Sequence, residues 1–123
     1  MMLLKFGRRR RGICDTSHNL SDEHLLALAA NGGLIGVALI DVATCRNDLQ
    51  ATVASMRYIA DLAGVEQIAL GSGFNGAAPT PIDAGGWPKL TQALLDDGFS
   101  KDEIAKIMGG NALRILQQVL PAN

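Results

Sequence analysis

The 123-residue sequence predicts an α/β fold with about three parallel strands followed by C-terminal helices, all in one domain spanning residues 1–123. Three observations carry this reading. Short apolar runs at 2–6, 34–40 and 67–72 alternate with amphipathic stretches, the order expected of right-handed βαβ units. The run at 34–40, Leu-Ile-Gly-Val-Ala-Leu-Ile, is almost continuously apolar, as in a parallel strand covered by helices on both faces. After Gly76 the composition shifts to Pro79, Pro81, Gly85, Gly86 and Pro88, which reads as a long irregular loop of the kind that covers a binding face.

Taken in chain order, residues 2–6 form the first candidate strand, followed by loops carrying Arg8 to Leu20. The first helix starts at Ser21, a good N-cap, with Asp22 and Glu23 at the positive end of the helix dipole. Leu25, Leu28 and Ala29 give it an apolar stripe, and Asn31-Gly32-Gly33 supplies a left-handed stop. Beyond the strand at 34–40, Asn47 or Asp48 caps a helix whose inward stripe is Leu49, Val53, Met56, Ala60 and Ala63, broken by Gly64. The strand at 67–72 follows, then the Pro-rich loop, with structure resuming at Leu90. Ser100 and Glu103 form a capping box for a helix carrying Ile104, Ile107 and Met108. Asn111 is expected to cap the last helix, where Leu113, Leu116 and Leu120 recur on one side until Pro121 stops the run.

A formal net charge of −1 gives no overall pull toward nucleic acid or anionic membrane. The basic run Arg8, Arg9, Arg10 and Arg11 reads as a solvated loop. It lacks the interleaved aromatics that stack bases, so no nucleic-acid or polyanion partner is expected. Apolar residues precede the charges at the N-terminus, the reverse of a signal peptide, and no apolar run approaches the ~18 residues of a spanning helix. A cytoplasmic location without membrane contact is therefore expected. Cys14 and Cys45, with their wide spacing, read as small buried or half-buried residues in a reducing compartment.

The segment Leu70-Gly71-Ser72-Gly73-Phe74-Asn75-Gly76 resembles the GSDFDG signature of the membrane (renal) dipeptidase family, zinc peptidases built on a (β/α)8 barrel. The resemblance extends through Cys14-Asp15-Thr16-Ser17-His18-Asn19, Asn31-Gly32-Gly33, Gly86-Trp87-Pro88-Lys89-Leu90 and the terminal helices, and so covers nearly the whole chain. It implies a partial TIM-type barrel corresponding to the last three βα units. A complete barrel needs roughly 250 residues, so this chain would be about half of one.

The resemblance also says which residues should work, and here they are missing. In (β/α)8 enzymes chemistry sits at the C-terminal ends of strands. The family's zinc-ligating His falls at Gly7 or, with one residue of slack, at Arg8. Its substrate-binding Arg falls at His18, where an imidazole offers less to a carboxylate than a bidentate guanidinium. The first Asp of the signature, which would manage the proton of a metal-activated water, is Gly73, and the second is Asn75. The family's other ligands belong to the absent half.

Read without the resemblance, Gly71, Gly73 and Gly76 form a turn leaving a strand, and they lead into no helix that would cradle a phosphate. His18 and His24 with Asp15 or Cys14 could be drawn as a metal cluster, but His24 is more simply a solvated residue in a first helical turn. No catalytic residue, metal ligand or cofactor is thus expected for this chain, although the family uses zinc. The main expectation is a truncated, inactive relative of the dipeptidases. The alternatives are half of a split zinc dipeptidase and a half-barrel that self-associates or binds polyanions. A homo-oligomer or a missing N-terminal barrel half is the expected partner, because an unclosed sheet would leave 2–6 and 67–72 as open edges and turn one side of 34–40 to solvent.

Overall fold

A computed structural model describes residues 20–74, 76 and 78–122. The expected strand at 2–6, Arg8 to Arg11, and Gly7, Cys14, His18 and Asn75 lie outside the described residues.

The first helix, α1 (Asp22–Ala30), starts where its cap predicts: the Ser21 hydroxyl accepts from the His24 N–H at 3.3 Å, and the helix gives way to Gly32 at φ +70°. Strand β1 (Ile35–Val37) follows and pairs in parallel with β2 (Ile68–Leu70), with Ile35 opposite Ile68 and Val37 opposite Leu70. The regular strands are shorter than the apolar runs, yet pairing continues beyond them. Gly71 N–H donates to Val37 O at 2.9 Å and Leu39 N–H to Ser72 O at 3.1 Å.

Between the strands lie α2 (Asp41–Thr44), which no sequence signal announced, and α3 (Leu49–Ala63). Asp48 caps α3 by accepting from Ala51 N–H at 2.8 Å, and Gly64 ends it at φ +107°. Its buried side is Ala51, Thr52, Val53, Ser55, Met56 and Ile59, which includes Val53 and Met56 of the predicted stripe, while the stripe's Leu49, Ala60 and Ala63 are half-buried and pack against the same core. Helix α3 packs against α1, α2 and both strands, and on its other flank against α4 (Trp87–Asp96). Helix α4 begins three residues before the predicted restart at Leu90, because Pro88 sits in the first turn, where its missing N–H costs nothing.

The capping box appears as read: Ser100 and Glu103 exchange hydrogen bonds at the head of α5 (Lys101–Ala105). A wide, kinked turn over Lys106–Gly110 then leads into α6 (Asn111–Val119). Asn111 does not cap α6. Its backbone is helical, and its buried side-chain amide reaches back to donate to Val65 O and Ile68 O, both at 2.8 Å.

That contact corrects the expectation of a bare edge at 67–72 at one residue, Ile68. Gly71 turns its N–H toward β1, so by alternation Ile68 and Leu70 turn theirs away, and Asn111 satisfies the outward Ile68 carbonyl. The expectation that one side of 34–40 would face solvent is also corrected. Leu34, Ile35, Val37, Ala38 and Leu39 are all buried, in a core shared with Leu25, Met56, Ile59, Ile68, Leu90, Leu94 and Ile107.

Cys45 departs from its expected role as well. It is exposed, sits at φ +63° at the end of α2, and is disulfide-bonded, not a buried thiol.

Candidate active-site end of the strands

The C-terminal ends of β1 and β2 are where this type of fold places chemistry. The pairing of Leu39 with Ser72 keeps the two strand ends together and brings Gly73 against Ile40. Gly73 has φ +80°, a left-handed backbone that L side chains rarely adopt. A Cβ built there would stand 2.6 Å from Ile40 Cγ2, well inside van der Waals contact. The methyl of Ile40 thus fills the space from which a side chain at position 73 would start.

The side chains packed around this point are mostly apolar. Phe74, whose N–H donates to the Ser72 hydroxyl at 3.2 Å, packs its ring against Trp87, with centroids 5.4 Å apart and planes tilted by 42°. This is the offset geometry aromatic pairs prefer. It pins the start of α4 to the end of β2. The loop between them folds Ile82 under the turn Ala84–Gly86, where a Cβ on Gly86 would come within 2.6 Å of Ile82 Cβ. A cleft of about 350 Å³ in this loop is lined by Thr80, Pro81, Ile82, Asp83, Gly86 and Lys89. Its charged groups, Asp83 and Lys89, are both exposed.

No group of three His, Cys, Asp or Glu side chains among the described residues could hold a metal ion. His24 is exposed on α1, in keeping with a solvated helix residue. The residues described at this end do not fit a zinc centre: Gly73 has no side chain, and its neighbours Ile40, Ser72, Phe74 and Trp87 are none of the Cys, His, Asp or Glu that bind zinc. Of the other predicted site positions, Gly7 and His18 lie outside the described residues. Sequence reasoning singled out Gly73, where the resemblance places the family's first Asp, but not Ile40, since an isoleucine at a strand end gives the same signal as any core residue.

The titrating groups with perturbed behaviour lie elsewhere. Tyr58 on α3 donates to Asp22 Oδ1 on α1 at 2.5 Å, and burial, together with that bond and the Asp22 charge, pushes its hydroxyl up to about 12. Glu66, just before β2, is held below the usual carboxylate range chiefly by its hydrogen bond from Lys106 Nζ at 2.9 Å. Glu103 is lowered by the Ser100 N–H of the capping box. Each is accounted for by a contact between helices or within a cap.

Residues 9–122 match the profile of a family described as membrane dipeptidase, Peptidase family M19. Among curated proteins, the chain is 33% identical over 115 residues to dipeptidase aclJ of Aspergillus oryzae, covering 87% of this chain and 27% of that protein. It is 32% identical over 117 residues to human dipeptidase 3, covering 89% of this chain and 24% of that protein. Among solved structures, dipeptidase AC, a metallo peptidase of family M19, superposes with a TM-score of 0.80 at 21% identity, over 89% of this chain and 35% of that one. A metallo peptidase from Rhodobacter sphaeroides, liganded with a phosphinate mimic of the dipeptide L-Ala-D-Ala, gives 0.80 at 20% identity, over 88% and 33%. The chain therefore spans about a quarter of these curated relatives and a third of these solved chains, less than the half expected from barrel length alone.

Proposed function

Because the chain belongs to the membrane dipeptidase family, Peptidase family M19, we propose that it is a part of that family's (β/α)8 architecture which keeps the scaffold and has lost the zinc chemistry, and that by itself it hydrolyses no dipeptide. The observation that carries this reading is the encounter of Gly73 with Ile40. At the position where the resemblance places the family's acid there is no functional group, the backbone is left-handed, and a methyl fills the space a side chain would need.

This also bears on the split-enzyme alternative. A second polypeptide could bring the ligands of the other barrel half, but it could not supply a carboxylate at position 73. The chain's role is accordingly read as structural within an M19-type assembly.

Elemental analysis of the purified chain, with a dipeptide hydrolysis assay in the presence of added zinc, tests the reading. The expected result is substoichiometric zinc and turnover no faster than a metal-only control. One equivalent of tightly held zinc, or zinc-dependent turnover, would overturn it.

No helix among the described residues is long and apolar enough to cross a membrane, which says nothing about compartment. The disulfide at Cys45 supports folding in an oxidising compartment, since such bonds persist there and are rare in a reducing cytosol.

A further inference from the structure

The segment that follows β1 ties the upper end of the sheet to the surface. Thr44, the last residue of α2, is buried, and its N–H donates to Ile40 O at 3.1 Å. Its hydroxyl lies between two acceptors, 3.1 Å from Ile40 O and 2.6 Å from Arg46 O. Arg46 in turn pairs with Asp48 at 2.7 Å, and Asp48 caps α3. Cys45 stands between these two anchors, exposed and disulfide-bonded. Ile40 is the residue whose methyl fills the space beside Gly73.

Two features of Cys45 make this link conditional. Among the described residues it is the one non-glycine with a positive φ, +63°, a backbone state that an L side chain keeps only where its surroundings impose it. Bonded, the sulfur helps to impose that state; reduced, it no longer does. Its exposure matters as much, since thiol–disulfide exchange needs a thiolate to reach a sulfur, and exposed disulfides are the labile ones.

We propose that the disulfide at Cys45 is a redox latch on the upper end of the sheet. While the bond is intact, α2 holds Ile40 against Gly73 and the strand ends stay closed. A dithiol reductant opens it. One thiolate attacks a sulfur of the bond, and the second displaces the chain's sulfur from the mixed disulfide; the chain gains two electrons and two protons while the reductant closes to a cyclic disulfide. Cys45 then leaves its left-handed state, α2 unwinds, and Ile40 withdraws from Gly73. The latch shares with the proposed structural role only the Ile40–Gly73 contact. Neither zinc nor hydrolysis enters its test, so one can fail while the other stands.

The only tryptophan of the chain reports on this end, because Trp87 packs on Phe74 next to Gly73. The test is to reduce the folded chain with dithiothreitol, count thiols, and read Trp87 emission together with hydrogen exchange at Leu39 and Ile68 by NMR. The sequence holds two cysteines, Cys45 and Cys14, the latter outside the described residues, so complete reduction yields two thiols per chain. Emission is expected to move to longer wavelength, and the Leu39 amide, which donates to Ser72 O, to exchange at least about tenfold faster. The Ile68 amide, bonded to Val65 O at the lower end, should keep its rate. Cys45→Ala should show the reduced behaviour without reductant and ignore dithiothreitol. Should that variant fold poorly, reoxidation of the reduced wild type serves in its place and must restore the starting emission and exchange.

Two thiols with emission and Leu39 exchange unchanged would overturn the proposal, since the bond would then hold nothing at this end. So would a bond that opens only after denaturation, because a latch must be reached while the chain is folded. Loss of Ile68 protection along with that of Leu39 would show that the disulfide supports the whole fold, and this too overturns the proposal.

Discussion

The two ends of the β1–β2 pair are built from different materials. At the N-terminal end of β2, polar groups tie the sheet to the C-terminal helices: Asn111 holds the Val65 and Ile68 carbonyls, Arg114 holds that of Glu66, and Lys106 pairs with the Glu66 carboxylate. At the C-terminal end, where an (β/α)8 enzyme gathers its reacting groups, the neighbours are Ile40, Gly73 and the Phe74–Trp87 ring pair. The contrast matches the division of labour in such folds, in which the lower ends of the strands serve stability and the upper ends serve chemistry. Nothing in the packing requires reacting groups at the upper end, whereas backbone carbonyls need the polar set at the lower one.

If that division is right, the largest effect on stability comes from the lower end. Asn111→Leu removes two hydrogen bonds and leaves two carbonyls without their donor, which is expected to cost about 3 kcal/mol. For a domain of this size the melting temperature would fall by roughly 10 °C. A thermal melt in which this variant matches wild type would break the comparison, since Asn111 would then be dispensable.

The next effect tests the upper end. Gly73→Asp forces a side chain onto a left-handed backbone and into Ile40 Cγ2, and should cost about 2 kcal/mol without creating zinc-dependent hydrolysis. Adding Ile40→Ala to that variant should relieve the clash, so that the two changes together cost less than their sum. Strict additivity in denaturant titrations would mean that Ile40 does not occupy the space, and hydrolysis by either variant would mean that the ligand set is wrongly drawn.

A smaller effect, away from both ends, calibrates the other two. Tyr58→Phe deletes the bond to Asp22 and is expected to cost about 1 to 2 kcal/mol near neutral pH. The hydroxyl titrates at 10.0 when free and at about 12 when folded, so the folded chain keeps a proton that the unfolded chain gives up. Its stabilisation is full below pH 10 and is lost as pH rises through 10 to about 12. Wild type should lose stability across that window more steeply than the variant. Parallel curves would show that the Tyr58–Asp22 bond contributes nothing. The lowered Glu66 and Glu103 act with the opposite sense, their contribution present above about 4.5 and lost as pH falls below it.

What the sequence made legible was what is local. Ser21, Asp48 and the Ser100–Glu103 box are where they were read, because a cap is decided within four residues. The parallel pairing was readable from two apolar runs. The parts that escaped depend on residues far apart in the chain. Asn111 looked like a cap because nothing in its own segment shows Ile68, 43 positions earlier, and the inward side of α3 took in Ile59 once α1 and α4 had packed on either flank. Ile40 closing over Gly73 is a meeting of two strand ends, and a Cys45 expected as a buried thiol is exposed and disulfide-bonded. The (β/α)8 relationship came from the quoted motifs and not from periodicity, which could reach no further than parallel βαβ units.

The reach of Asn111 also sets an order of events in time. Every apolar residue of the core precedes it, from Leu25 to Ile107, so the chain can collapse before Asn111 arrives. Until then the Ile68 carbonyl on the outer edge of β2 lacks its side-chain donor. Ile107 lies in that core only four positions before Asn111, so the collapse that seats Ile107 closes most of the 43-residue separation from Ile68 and leaves Asn111 a short step to make. During that interval the outer edge of β2 is open at Ile68 to pairing with another nascent chain, and the turn into α6 closes it at that residue.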